Sequence, residues 1–289
     1  MMHLEQVPFF ILLIIIAFIS LCVGSFLNVV IYRIPIRLRY LWRREATELL
    51  DLGTSNIDLE EPINLSFPAS HCTHCKHKLR FWHNIPVVSY ILLKGKCAFC
   101  SERISIKYPI IEALTCILTS LIFMRYGITY KAGLGTLLIW FLIVLSFIDL
   151  DTHLLPDSLT LPLIWIGLIA NHFELFVTLK SAVTGAIIGY LFLWLIYWIF
   201  KFITQKEGMG YGDFKLLSAL GAWFGWQSIV FLSLSSAVIG IIIYVIITHN
   251  KSDNLRYQQI PFGPALAISG TFYLFYGSEI ITRYLQWLN

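Results

Sequence analysis

Apolar runs of bilayer-spanning length recur along this chain and set its architecture. The first, residues 7–32, carries no charge anywhere, and it is long enough to cross a hydrocarbon core with some tilt. Further runs near 108–126, 132–148, 159–176, 180–200, 227–248 and 261–282 read as helices of the same kind. A shorter one, 214–226, fits either an eighth, short span or a re-entrant segment. Only residues 33–107 are polar enough and long enough to fold outside a membrane. The pattern therefore predicts an all-α polytopic membrane protein of about eight transmembrane helices. Its expected divisions are a first transmembrane helix (1–32), a small cytoplasmic domain between helices 1 and 2 (33–107), and a membrane domain (108–289).

Charge gives this picture a direction. Of the 21 lysines and arginines, eight spans place 17 on one side, 12 of them within 33–107, and leave Arg125, Lys131, Lys180 and Arg283 on the other. By the positive-inside rule the crowded side is cytoplasmic and both termini lie outside. No cleaved signal peptide is expected, because Glu5 precedes the first run and no basic segment does. With 57% hydrophobic and 13% charged residues and a mean hydropathy of +0.74, a soluble protein is excluded.

Four of the six cysteines form two C-x-x-C pairs, Cys72 with Cys75 and Cys97 with Cys100, separated by 21 residues. Each pair can present two sulfurs to one tetrahedral ion, as in a zinc ribbon. Four thiolates leave no open position for water, so a structural Zn2+ is expected. Two disulfides are the competing arrangement, and a loop on the reducing cytoplasmic side argues against them. His71, His74 and His77 crowd the first knuckle, either as alternative ligands or as a solvated basic surface. Cys22 and Cys116 stand alone in apolar stretches and read as inert core thiols. Between the pairs, 84–96 holds an apolar run too short to span, expected at the membrane interface or under the metal site. Gly95, between Lys94 and Lys96, reads as its closing turn.

Two acidic positions need a reason. The segment 147–157 (F-I-D-L-D-T-H-L-L-P-D) closes the third span, and 208–215 (G-M-G-Y-G-D-F-K) opens the sixth on the same side. A carboxylate at membrane depth is costly unless it is paired, neutral or facing water, which singles out Asp149 and Asp213. Asp151 and Asp157 read as loop carboxylates, Asp157 as a cap of the helix starting near Ser158. Two aspartates sharing one proton can activate a water with one carboxyl and protonate a leaving group with the other. That is peptide hydrolysis without a metal or a covalent intermediate. No H-E-x-x-H or G-x-S-x-G motif offers another hydrolytic constellation. The glycines around Tyr211 suit an unwound helix start approached by another backbone, such as an extended substrate, or a plain loop.

Taken in order, these motifs resemble the type IV prepilin leader peptidases, a GxGD-type family of aspartic membrane proteases that also N-methylate the processed pilin. The resemblance covers nearly the whole chain. It rests on Gly24 to Pro35 (G-S-F-L-N-V-V-I-Y-R-I-P), the double C-x-x-C with its intervening N-I-P-x-x-S, and Arg103 to Glu112 ending in Y-P-x-x-E. It continues through D-x-D…L-P-D, G-x-G-D-x-K and Ile260 to Pro264 (I-P-F-G-P). Thr73 stands where the family often has proline, at a position that is not a ligand.

The resemblance implies that Asp149 and Asp213 are the catalytic pair, that Cys72, Cys75, Cys97 and Cys100 hold zinc, and that S-adenosylmethionine donates a methyl group. It implies a bacterial inner-membrane enzyme whose substrate is a prepilin of a type IV pilus or a pseudopilin of type II secretion. The short basic leader would be cut after glycine on the cytoplasmic face and the new amine then methylated. The bilayer is the other expected partner, and no nucleic acid is. No glycine-rich nucleotide loop follows a strand. The methyl-transfer site is therefore assigned by exclusion and resemblance to the cytoplasmic domain and first helix, with Gly95, Asn28, Arg33 and Glu112 as candidate cofactor-binding residues. Arg33 equally suits snorkelling and Asn28 a helix-packing hydrogen bond. Acids within 45–61, or Asp151 and Asp157, are the expected receivers of the basic leader. Two readings compete with this one. A proton-coupled transporter could use the same aspartates but predicts inverted repeats, which are not visible; a zinc-ribbon scaffold leaves both acids unexplained.

Overall fold

The computed structural model describes residues 9–50, 64–72, 74–80, 82, 85–249 and 261–288. Glu5, Thr73, Asn84, Lys251, Arg256, Ile260 and residues 51–61 of the acidic stretch lie outside them. Among the described residues there is no strand and there are nine helices: α1 (Phe9–Leu49), α2 (Val88–Leu92), α3 (Lys107–Tyr126), α4 (Tyr130–Thr152), α5 (Asp157–His172), α6 (Leu179–Thr204), α7 (Tyr211–Phe224), α8 (Ser228–His249) and α9 (Gly263–Leu288). Of these, α1, α3, α4, α6 and α8 are long and apolar enough to cross a membrane. The chain divides into two compact units, Met1–Met124 and Arg125–Asn289, so that α3 packs with the first.

In the first unit α1 does not stop at Tyr32, where its apolar run ends. It continues to Leu49 with Pro35 inside it. Charge ends a membrane span without ending a helix, and the residues after Pro35 are rich in arginine, leucine and glutamate, all good helix formers. At 41 residues the helix is about 60 Å long, twice the roughly 30 Å hydrocarbon core, so its distal half is extramembrane. The two cysteine pairs follow as short turns closed by isolated antiparallel bridges, His71 with Lys78 and Lys96 with Arg103.

In the second unit the short α7 is the centre. From Asp213 to Phe224 every residue except Lys215 is buried, and α5, α6, α8 and α9 all pack against it. A helix apolar on all sides belongs inside a bundle. That placement removes the length constraint, since α7 meets protein and not lipid and needs only 14 residues. Close approach to α6 rests on glycines: a Cβ at Gly185 or Gly221 would run into the other's carbonyl oxygen. Polar anchors complete the contact. Ser218 Oγ donates to the Ala186 carbonyl at 2.8 Å and Trp223 Nε1 to that of Leu163 at 2.9 Å.

Asn171 explains why α5 ends at His172 and not near residue 176. Its fully buried amide donates to the carbonyls of Ala222 and Trp223, at 2.8 and 3.0 Å, and its oxygen accepts the N–H groups of Phe176 and Val177. The side chain thus turns the backbone at one helix end and caps another. Asn171→Ala leaves two buried carbonyls and two partly buried N–H groups without this partner, and a loss of about 3 kcal/mol is expected, read as a lowered unfolding midpoint in detergent. Asn171→Asp should restore the acceptor half alone.

Candidate functional site

Asp149 and Asp213 come together at one end of the second unit. Asp149 lies in the last turn of α4 and Asp213 in the first turn of α7. They are 5% and 7% exposed, and Leu155 touches both Gly212, next to Asp213, and Gly263, the residue Asp149 binds. Asp149 Oδ2 accepts the backbone N–H of Gly263, the first residue of α9, at 2.8 Å. A Cβ at residue 263 would come within 2.8 Å of that same oxygen, so glycine is needed for the carboxylate to reach the backbone. Asp213 sits where a helix N-terminus favours negative charge, and its Oδ1 is buried without a hydrogen-bond partner. A buried carboxylate oxygen with no protein donor is a natural acceptor for a water or a substrate polar group.

The connector between α4 and α5 holds this arrangement. His153 ends α4 in the left-handed region, its N–H bonded to the Asp149 carbonyl. Leu155 then packs against the start of α7 and the start of α9 together: a Cβ at Gly212 would lie 2.7 Å from Leu155 Cβ, and one at Gly263 would lie 3.2 Å from Leu155 Cδ2. The glycines of the 208–215 segment therefore have internal neighbours. Gly212 admits Leu155, Gly208 faces the ring of Phe200, and Gly210 is the α7 N-cap in ordinary extended geometry. Asp157 is not the cap the sequence suggested. Pro156 takes that position, and both Asp157 oxygens instead accept from Lys215 Nζ, at 2.6 and 2.7 Å. As a receiver for a basic leader, Asp157 is already engaged.

The first unit holds a second site. The two C-x-x-C knuckles share one hydrogen-bond pattern: the first cysteine's N–H meets the carbonyl five residues on (His77, Glu102), and its carbonyl accepts from the residue four on (Lys76, Ser101), which is left-handed. All four sulfurs lie within 4.8 Å of one another, with Cys72 and Cys100 3.9 Å apart. Tetrahedral thiolates at Zn–S distances of about 2.3 Å stand about 3.8 Å from each other, so the cluster can hold such an ion. The thiols do not titrate alike. Hydrogen bonding from the Cys75 backbone pulls Cys72 down to about 6. Against an opposing Glu102 backbone bond, burial and the neighbouring sulfurs push Cys100 up to about 12. Four adjacent thiolates repel unless a cation lies among them. Of the nearby histidines, His71 Nδ1 is bonded to the Ala69 carbonyl and His77 stacks on Phe99.

Beside the cysteines opens a cavity of about 660 Å³, walled by one face of α1 (Ser25, Asn28, Arg33), the start of α3 (Tyr108, Glu112), and Cys72 and Cys97. Three of the four candidate residues line it. Asn28 donates to the Tyr108 carbonyl at 3.2 Å. Arg33 gives its guanidinium to the carbonyls of Asn64, Leu65 and Pro68, so it fastens the loop at 64–68 and does not snorkel. Glu112 accepts from the N–H of Val87 at 2.8 Å. Gly95 (φ 68°) stands behind the wall: a Cβ there would press on the hydroxyl of Tyr90, which does line the cavity. Cys22 is exposed and on the cavity wall, Cys116 only partly buried; neither is a core thiol. The Gly263 contact, the Leu155 wedge and the Val87–Glu112 bond are absent from the sequence reading. Glycine between Phe262 and Pro264 at a helix start was the one available signal.

Residues 18–126 match the model of the bacterial peptidase A24 N-terminal domain, and 136–245 that of the type IV leader peptidase family. A "prepilin leader peptidase/N-methyltransferase" of Pseudomonas putida is 46% identical over 94% of this chain and 93% of its own. Proteins of the same name from Pseudomonas aeruginosa (47%; 93% and 91%) and Neisseria gonorrhoeae (46%; 94% and 92%) are equally similar. No solved structure matches. Nothing in these relatives supports a transporter. On identity of this extent over both chains, the protein belongs to the type IV leader peptidase family, whose curated members carry a peptidase and an N-methyltransferase activity in one name.

Proposed function

We propose that this enzyme removes the basic leader of prepilins or pseudopilins at the Asp149/Asp213 pair and methylates the new N-terminus at the cavity beside the cysteines. The observation that carries the first half is the meeting of two buried aspartates from α4 and α7, one of them with an unpartnered oxygen. One carboxylate takes the proton of an attacking water while the other, protonated, donates to the scissile carbonyl or leaving nitrogen. Burial from water and the fixed N–H of Gly263 hold Asp149 in place for that exchange. The positive-inside asymmetry supports eight spans, with both sites on the cytoplasmic side of a bacterial inner membrane; α5, α7 and α9 supply the three spans beyond the five helices that are both long and apolar enough by themselves.

Zinc on Cys72, Cys75, Cys97 and Cys100 is supported by the sulfur separations and has a structural role, fixing the wall that Cys72 and Cys97 contribute to the cavity. For S-adenosylmethionine the fit rests on size and polarity: about 660 Å³ lies within the range of cofactor pockets, and buried Asn28 and Glu112 converge on it. When bound, the cofactor supplies an electrophilic methyl group. Asn28 and Glu112 orient the reactants and Tyr90, backed by Gly95, closes the wall. Two sites for two activities predict separable losses. Ser25→Trp, which fills the cavity, should lower methyl incorporation into a peptide with a free N-terminus by more than about tenfold and leave leader removal near wild type. Equal loss of both would overturn the assignment of the cavity.

A further inference from the structure

The short helix α2 has two unlike faces. Ser89, Tyr90 and Leu93 line the cavity. On the other side Val88, Ile91 and Leu92, spaced as neighbours on one helical stripe, are exposed, Ile91 at 66% and Leu92 at 75%, with Ile85 exposed just before them. Lys94 and Lys96 follow, both exposed. An apolar patch ending in lysines is the make-up of an interfacial segment, and its depth can be read from its partner. The N–H of Val87, where α2 begins, is bonded to the carboxylate of Glu112. Glu112 lies five residues into α3, a helix able to cross the membrane, which is about 7.5 Å along its axis, and its side chain leans back toward the α3 N-terminus. That sets the start of α2 level with the first turn of the span, at the boundary between headgroups and acyl chains. Val87 reaches this position at φ 58°, a conformation costly for a β-branched residue and sustained only where its surroundings impose it.

We infer that α2 lies in the bilayer interface on the side where α3 begins, with Val88, Ile91 and Leu92 in lipid, so that one wall of the cavity is seated on the membrane. The lysines then reach the phosphate layer, and Glu112 works as the tether holding the helix at that depth. The occupant of the apolar face is lipid: a partner protein would not need the face to sit at the level of a membrane span, nor the flanking cations.

The test places an environment-sensitive fluorescent amino acid at position 92 of the full-length protein in nanodiscs, with the same probe at position 48, near the distal end of α1, as the control. Leader removal by both proteins reports that they are folded. The expected result is a blue-shifted emission at 92 that loses most of its intensity to lipids carrying a nitroxide near the headgroup, less to lipids carrying one at the bilayer centre, and none at 48. Emission like that of the control, blue-shifted emission that neither lipid quenches because protein covers the face, or stronger quenching from the centre would each overturn the inference. A second measurement rests on the cavity reading. Ile91→Ser with Leu92→Ser should raise the KM for S-adenosylmethionine in nanodiscs with kcat and leader removal retained. Quenching at 92 with an unchanged KM would leave the membrane seat standing and count against the cavity as the cofactor site.

Discussion

Replacing either Asp149 or Asp213 by alanine is expected to reduce leader removal about 10⁴-fold while methylation of a peptide that already has a free N-terminus continues. Asparagine at 149 is the sharper probe. It can still accept from the Gly263 N–H and fills the same space, but it cannot exchange a proton, so loss of cleavage in Asp149→Asn separates chemistry from packing. Because the two carboxyls act as one unit, the double variant should be little worse than either single one. The measurement is release of the leader from a prepilin by purified enzyme in lipid, with radiolabelled methyl incorporation run in parallel. Cleavage that survives either substitution rules out the pair as the site. Cleavage lost in Asp157→Ala but kept in Asp149→Ala would move the first acid along the chain.

A methyl group at Gly185 or Gly221 should do comparable damage from a distance. The obstacle to each new Cβ is backbone, the facing carbonyl in both cases, together with the Gly225 carbon and Trp226 nitrogen at 2.7 and 2.8 Å for residue 185. Backbone in a packed bundle cannot step aside as a side-chain tip can, so α6 and α7 must separate. A cost of at least about 3 kcal/mol is expected for Gly221→Ala. The same shift carries Asp213 with it, eight residues away on the same rigid helix, so cleavage should fall beyond what the unfolded fraction explains. Gly133→Ala is the control: nothing lies within 4 Å of a Cβ there, and the gain in helix propensity of about 1 kcal/mol should leave stability unchanged or raised. A Gly221→Ala variant with a wild-type unfolding midpoint would show that the two helices have room to part.

What the sequence could show followed from how costly each feature is in isolation. A carboxylate in an apolar run demands an explanation wherever it occurs, so Asp149 and Asp213 stood out, as did cysteines in paired knuckles and the helices themselves. Features that become costly only in company stayed hidden. Asn171 resembles any polar residue near a helix end until the carbonyls of Ala222 and Trp223, some fifty residues on, turn toward it. Asp157 had the local pattern of a cap, yet a lysine 58 positions away outcompeted a backbone N–H for it. Gly263 carries no side chain to suggest that its N–H meets a carboxylate 114 positions earlier. The cavity, too, is made of surfaces from α1, α2, α3 and the knuckles, and no local pattern announces a void.

The α4–α5 connector has a further consequence. Asp149 is tied to His153 through the helix, Leu155 is pressed between the starts of α7 and α9, and Asp157 grips Lys215, two residues from Asp213. The covalent path from Asp149 to Asp157 and the ion pair with Lys215 thus link the two aspartates through this connector, in which the stretch from residue 153 to 156 acts as a ruler. Lengthening it by a single residue would turn Leu155 away from its glycines or pull Asp157 off its lysine. The spacing of the two candidate acids is thereby set by the length of this connector.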